Sequence, residues 1–324
     1  MSQNPALRGE HVSGGVIVVG SITADVTAFS VTLPRPGETV LGDDFTLVLG
    51  GKGANQAVAS ALAGARSYLV GCVGDDLFRT MVFDGLVKSG VNVEHIRVVD
   101  GATGVAHIRV DASGENDIVI TPLANSRLTP EHVEAAVEDL SGQASVMLTQ
   151  LEIPIDTCIR AIRAGKASGL TVLLDPAPAQ HLDQGIWTSV DIVTPNETEA
   201  SLITGIPVVD EVSAIAAGRW FCDRGVRHAV ITLASAGAVL VSGEEVTRFA
   251  AFSVDVVDTT AAGDSFAGYL GAALAEGIAL DAAIGRAMAA GALAVTMRGA
   301  SPSLPGKEEV ERLLSAQSTT SYRN

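Results

Sequence analysis

The stretch Asp258-Thr259-Thr260-Ala261-Ala262-Gly263-Asp264 lies where a β-rich run, 252–257, gives way to a small-residue helical run, 265–274. Small residues at a strand-to-helix turn leave backbone N–H groups free to converge on one point, and the helix N-terminus adds positive potential there. Such a turn suits an anion, including the charge that develops on a phosphoryl group during transfer. Asp264 falls in the first helical turn, where the dipole stabilises its carboxylate and where it can accept a hydroxyl proton. An Asp in that place also caps helices, and the stretch by itself accommodates both roles equally.

Outward from this turn, short β-branched runs alternate with longer helical patterns: 16–19 before 55–65, 67–72 before 76–89, 145–151 before 157–168, then 171–174, 192–194 before 197–204, and 229–232. Strand-helix alternation predicts a doubly wound α/β fold, a mostly parallel sheet with helices on both faces. Segments 25–49 and 101–120 break the pattern with strand-like runs and turn residues, Pro34-Arg35-Pro36-Gly37 among them, and no helix. They read as a small β-sheet standing off a core built from 14–24, 50–100 and 121–315, with flexible termini at 1–13 and 316–324. Ligands of open parallel sheets bind beyond the carboxyl ends of the strands, and here the apolar runs end in Glu152, Asp175, Asn196 and Thr232.

The 324 residues are 47% hydrophobic but only 4% aromatic, so the core must be built from Ala, Val, Leu and Ile. A net charge of −16 argues against nucleic acid or an anionic membrane as partner, since both reward clustered Lys and Arg. Cys72, Cys158 and Cys222 are too few and too scattered for a disulfide framework and read as buried thiols in a reducing cytosol. Residues 1–15 contain no apolar signal-like core. The Ala-rich C-terminal segments are interrupted by Asp264, Glu276, Asp281 and Arg286, so no membrane helix is expected. The sequence reads as a cytoplasmic protein. Its six histidines show no metal-ligand spacing.

Gly50-Gly51-Lys52-Gly53-Ala54-Asn55-Gln56-Ala57, Thr194-Pro195-Asn196-Glu197-Thr198-Glu199 and the 258–264 stretch occur in that order and together resemble the ribokinase-like (PfkB) sugar kinases. Gly20-Ser21-Ile22-Thr23-Ala24-Asp25, Gln150-Leu151-Glu152 and Asp175-Pro176-Ala177-Pro178-Ala179 place the resemblance in the ribokinase branch, over about residues 16–314. The Gly50 string is not a P-loop, because no Ser or Thr follows Lys52 and the four-residue spacer is missing. Alone it reads as a tight turn. The resemblance implies that Gly51, Lys52 and Asn55 bind the sugar, together with the acceptor-only carboxylates Asp25 and Glu152. Thr23 belongs to the same set, but the ribokinase pattern has Asn there. Asp264 is implied to be the catalytic base, and the backbone of Ala261, Ala262 and Gly263 to hold the γ-phosphate.

On the nucleotide side the resemblance implies ATP contacts from Asn196, Thr232, Ser235, Gly237, Gly263 and Met288, with Glu199 in the outer shell of Mg2+. Asn196 and Glu199 also have the spacing of a helix cap, and Met288 also reads as a core residue. Ala234 replaces the usual Gly of the nucleotide turn. Asp258, the carbonyls near Thr260, Ala294, Met297 and Gly299, and Ser303 match the family's loop for K+, a monovalent activator. The small sheet is implied to be a lid over the sugar and a homodimer contact. The expected activity is ATP-dependent phosphorylation of the primary 5-hydroxyl of D-ribose, giving D-ribose 5-phosphate and ADP. Alternatives are a kinase for 2-deoxyribose, another pentose, a ketohexose or a nucleoside. A non-catalytic sugar- or nucleotide-binding protein is a further one, which the combination of Asp264, Gly263 and the Asn196/Glu199 pair disfavours.

Overall fold

A computed structural model describes residues 14–321. The chain runs β1 (Gly15–Val19), β2 (Thr23–Ser30), β3 (Gly42–Gly50), α1 (Lys52–Leu62), β4 (Ser67–Gly74), α2 (Phe78–Lys88), β5 (Val91–Asn92), β6 (Ile96–Val99), β7 (Gly104–Val110) and β8 (Asn116–Thr121). It continues through α3 (Pro130–Leu140), β9 (Ala144–Thr149), α4 (Ile155–Ala167), β10 (Thr171–Leu174), β11 (Ile192–Val193), α5 (Glu197–Thr204) and α6 (Glu211–Cys222). The last elements are β12 (His228–Thr232), β13 (Ala238–Ser242), β14 (Glu245–Phe249), α7 (Ala262–Ala275), α8 (Leu280–Ala294) and α9 (Lys307–Ser321).

The large sheet has the order β14-β13-β12-β11-β10-β9-β1-β4-β5, with β6 also paired to β4. From β5 to β12 its pairs are parallel; β13 and β14 add an antiparallel edge. The fold is therefore the doubly wound α/β type that the alternation predicts. Strand β1 shows why both faces carry helices: all five residues are buried, and their alternation feeds two cores. Val16 and Val18 pack in the core of α1, α7 and α8, while Ile17 and Val19 pack in the core of α3, α4 and α6.

Helices α1 and α7 cross closely because Gly268 has no side chain. A Cβ there would lie 2.5 Å from the Ala59 Cβ and 2.7 Å from the Gln56 carbonyl oxygen. This contact brings the start of α7 beside the start of α1.

The second sheet, β3-β2-β7-β8, stands apart as expected from 25–49 and 101–120. Its first strand already begins at Thr23, so Thr23 and Asp25 sit where the small sheet leaves the core. Two segments differ from the sequence reading. Run 252–257 forms no strand, for no neighbouring strand edge takes it up; instead the N–H groups of Val257 and Asp258 both donate to the Val295 carbonyl at the end of α8, at 2.7 and 3.1 Å. Helix α9 continues to Ser321, beyond the point where a frayed tail is expected, while segment 1–13 lies outside the described residues. No described helix is long and apolar enough to cross a membrane.

Candidate active site

Three segments meet at the carboxyl edge of the large sheet. Gly51 takes φ 89°, and a Cβ there would lie 2.9 Å from the Thr23 nitrogen, so only glycine lets α1 start against the 21–23 segment. Glu152, just beyond β9, locks this junction: its Oε2 accepts from the Ser21 hydroxyl at 2.6 Å and from the Lys52 N–H at 3.1 Å. The third segment is the start of α7, which carries Asp264.

Asp264 is 5% exposed and both its oxygens have donors. Asn55 Nδ2 donates to Oδ2 at 2.9 Å, Gln56 Nε2 donates to Oδ1 at 3.0 Å, and the Lys52 ammonium stands 4.0 Å from Oδ1. Burial by itself would lower the Lys52 pKa, but the carboxylates of Asp264, Asp175, Glu152 and Glu199 around it hold it above the usual value. Lys52 is therefore a cation in this site. The Ala261 cap of α7 is left-handed, with φ 60°, an unusual conformation for a residue with a Cβ. The first N–H groups of α7 have no intrahelical acceptors; that of Ala262 donates to the Thr259 carbonyl at 3.4 Å.

Asp25 is buried next to Thr23, whose hydroxyl donates to Asp25 Oδ1 at 2.6 Å. Burial pushes the Asp25 carboxyl up to about 6, the Thr23 hydrogen bond opposing this and the charges of Glu152 and Asp264 adding to it. Ser21, Thr23 and Glu152 line a cavity of about 390 Å³ together with Ile120 of the small sheet, Pro122 and Pro178. The expected sugar residues are thus brought together: Thr23, Asp25, Gly51, Lys52, Asn55, Glu152 and Asp264 belong to one junction. Asn55 differs in detail from expectation, since its Nδ2 donates to Asp264 and its side-chain Oδ1 accepts from the Ser301 hydroxyl at 3.0 Å.

On the neighbouring strands, Asn196 and Thr232 are bridged side by side, with the Thr232 N–H on the Pro195 carbonyl at 3.0 Å. Asn196 and Glu199 form a reciprocal capping box at the start of α5, each side chain accepting from the other's N–H at 2.9 Å. The capping role open to them in sequence is thus realised by both. Ser235 and Gly237 lie in the turn after β12, Ser235 exposed and Gly237 at φ 96°. Ala234, in place of Gly, has φ 44° and so holds the left-handed conformation that glycine adopts freely. Met288 is half-buried and packs against the α1/α7/α8 core, which is the packing reading of that residue.

The 258–260 and 294–299 segments also converge. Asp258 Oδ1 accepts from the Thr260 N–H at 2.9 Å and its hydroxyl at 2.6 Å, and Oδ2 accepts from the Gly299 N–H at 2.9 Å. Burial would raise this carboxyl, but these bonds outweigh it and hold the pKa below the ordinary value. The Ala294 carbonyl accepts from the Met297 N–H at 3.3 Å, and the Ser303 hydroxyl is turned to the Ala300 carbonyl at 2.8 Å.

Of three polar residues at the centre, Gln56 and Gln150 carry no role of their own in the sequence reading, and Asp175 is marked there only as a polar strand end at the binding edge. Gln56 is fully buried and donates to both Asp264 and Asp175; Gln150 donates in turn to the Gln56 oxygen. Asp175 is pushed up to about 8 by burial, with Lys52 opposing and Glu199 and Asp264 adding to the rise. The burial of the Gln56 amide is set by contacts with segments distant in sequence, so the string 50–57 does not announce it.

A doubly wound fold with a buried carboxylate in the first turn of a helix, set against a junction of buried polar side chains, is the arrangement expected of a phosphotransferase acting on a small polyol. Comparison with known proteins makes the class particular. The model of the pfkB family carbohydrate kinases matches residues 14–307, and the chain belongs to that family. It is 40% identical over 299 residues to a ribokinase of Haemophilus influenzae, covering 92% of this chain and 97% of that protein. A deoxyribokinase of Salmonella typhi is 35% identical over 302 residues, covering 93% and 98%. Among solved structures, Arabidopsis thaliana ribokinase complexed with ribose and ATP superposes with a TM-score of 0.85 at 31% identity, covering 93% of this chain and 98% of that one.

Proposed function

We propose that this chain is an ATP-dependent kinase that transfers the γ-phosphoryl group to the primary 5-hydroxyl of D-ribose, giving D-ribose 5-phosphate and ADP. The observation that carries the reading is Asp264: a buried carboxylate in the first turn of α7, held on both oxygens by donors from the sugar-side helix α1. In the reaction the hydroxyl oxygen bonds to the γ-phosphorus as the bond to ADP breaks, and the hydroxyl proton passes to Asp264. Ala261, Ala262 and Gly263 offer backbone donors to the charge on the transferred group. Lys52 adds a positive charge at the same place. Asp25 and Glu152 accept from the sugar's other hydroxyls and fix its orientation, with Thr23, Gly51 and Asn55 completing the pocket.

ATP is assigned to the edge carrying Asn196, Thr232, Ser235, Gly237 and Gly263, with the core residue Met288 behind it. Among the described residues no three carboxylate, imidazole or thiol groups converge to hold a metal by themselves. The donors at this edge are oxygens, which suits Mg2+ arriving with ATP and keeping most of its waters, Glu199 lying in its outer shell. When bound, Mg2+ neutralises charge on the phosphate oxygens. The pinned loops at Asp258, Thr260, Ala294, Met297, Gly299 and Ser303 present hard oxygens suited to K+, which would order the turn before α7.

The reading includes the division of the chain into a kinase body, 14–24, 50–100 and 121–315, and a lid, 25–49 and 101–120. The lid leaves Phe45, Leu47, Ile118 and Ile120 exposed, a surface that supports a homodimer through it. Free Cys72, Cys158 and Cys222 support a cytoplasmic setting. One observation favours a second acceptor, 2-deoxyribose: the Thr23 hydroxyl is already committed to Asp25. The test is ATP consumption over a panel of pentoses, ketohexoses and nucleosides, with the product identified by phosphorus NMR. Ribose among the best acceptors, with the phosphate on its 5-oxygen, is the expected result; consumption only with a nucleoside or hexose, or with none, refutes the reading.

A further inference from the structure

The proton acceptor is anchored from behind by a buried chain of side chains that no substrate needs to touch. Gln56 lies on α1, one residue after Asn55, and is 0% exposed. Its amide nitrogen donates to Asp264 Oδ1 at 3.0 Å and to Asp175 Oδ2 at 2.8 Å, so it bridges two carboxyl groups carried by different elements of the fold. Its oxygen accepts from Gln150 Nε2. With both hydrogens and the oxygen used, the amide has one orientation only. Asp175 and Gln150 come from the ends of β10 and β9, so the sheet edge fixes the amide, and the amide fixes the base.

The backbone is arranged to the same end. Gly268, one turn after Asp264, brings α7 onto the Gln56 carbonyl, and the Ser60 hydroxyl ties the Gln56 carbonyl to the Gly268 carbonyl at 2.8 and 3.1 Å. Without the Gln56 bridge, Asp264 would keep only the Asn55 donor and the Lys52 ammonium beside it, and its carboxylate would no longer be fixed from the sheet edge.

We propose that Gln56 is the positioning residue of the catalytic base, and that Asp175 serves as its hydrogen-bond anchor rather than as a charge. The inference rests on Asp264 being the base of a sugar kinase. Two consequences separate it from a general packing role. Loss of the bridge should lower kcat and leave sugar affinity nearly untouched, because Asp25, Glu152 and Lys52 are not held by Gln56. Asp175 should be replaceable by a residue that still offers an oxygen to Gln56.

The experiment measures kcat, sugar KM and calorimetric sugar affinity for the parent, Gln56→Met, Asp175→Asn, Asp175→Leu and the double variant Gln56→Met/Asp175→Leu, each checked for folding by its thermal midpoint. A base displaced by about an ångström costs on the order of 10²-fold in rate, so Gln56→Met and Asp175→Leu should each lose roughly that much in kcat with sugar affinity within a few-fold of the parent. The double variant should lose little more than either single one, since both break the same chain. Asp175→Asn should retain kcat within a few-fold. Parent-like kcat in folded Gln56→Met overturns the inference; should that variant not fold, parent-like kcat in Asp175→Leu, or a loss in Asp175→Asn as large as in Asp175→Leu, does so. A parent that phosphorylates no sugar overturns the kinase reading and this inference with it, whereas an active parent with unaffected variants overturns the inference alone.

Discussion

Asp25 gives the most quantitative prediction. Its carboxyl is taken from an ordinary 3.8 up to about 6 by burial, so the folded protein holds the proton more tightly than the unfolded chain does. The sign follows: ionised Asp25 costs stability above pH 6, the cost builds as pH rises between about 4 and 6, and it vanishes below the unfolded value. At about 1.4 kcal/mol per pH unit, the rise corresponds to about 3 kcal/mol at pH 7 and about half that at pH 5. Asp25→Asn keeps an oxygen for the Thr23 hydroxyl and removes the charge. It should therefore raise the unfolding free energy by up to about 3 kcal/mol at pH 7 and by about 1.5 kcal/mol at pH 5, read by urea titration. The same substitution should weaken sugar binding at pH 7, because the acceptor for a hydroxyl is lost. In the parent, sugar KM should rise about tenfold from pH 7 to pH 5 as the ionised fraction of Asp25 falls. A variant less stable than the parent at pH 7, or a gain identical at both pH values, would refute the assignment of a charged, desolvated Asp25.

Three further outcomes are expected. Thr23→Asn should shift kcat/KM toward ribose over 2-deoxyribose by roughly 1 to 3 kcal/mol, since it supplies an amide where the Thr23 hydroxyl is committed to Asp25. Strong ribose selectivity in the parent, unmoved by the substitution, counts against it. Ala234→Gly should raise the thermal midpoint, with a gain of roughly 0.5 to 1 kcal/mol from relief of the left-handed alanine offset by backbone entropy; a lowered midpoint contradicts the strain. Potassium should raise turnover well above sodium at matched ionic strength, through the loops that Asp258 pins together, and equal rates would remove the cation site from the account.

The parts of the fold that local signals govern were readable in the residues. Helix α5 spans Glu197–Thr204 as expected because Asn196 caps one end and Gly205, at φ 75°, the other. The large sheet and the separate small one follow from where strand-like runs have, and lack, intervening helices. Run 252–257 shows the limit: its valines favour a strand, but a strand exists only where an edge is available, and this is set by segments far away in sequence. The site divides in the same way. Glycine strings and the carboxylates at strand ends mark its edge, whereas the bridge from Gln56 to Asp175 joins residues 119 apart and has no local signature. Asn196 and Glu199 carry a spacing that serves capping and ligand binding alike, and the structure realises the cap.

The most direct measurement of the central claim is turnover of Asp264→Asn with the best acceptor sugar, alongside calorimetric binding of that sugar. The amide keeps the size of the side chain and its oxygen can still accept from one of the two donors, Asn55 or Gln56, but it cannot take the hydroxyl proton. The account predicts sugar affinity within a few-fold of the parent and a kcat lower by about 10² to 10⁴. Turnover within a few-fold of the parent, with the sugar still bound, would contradict it.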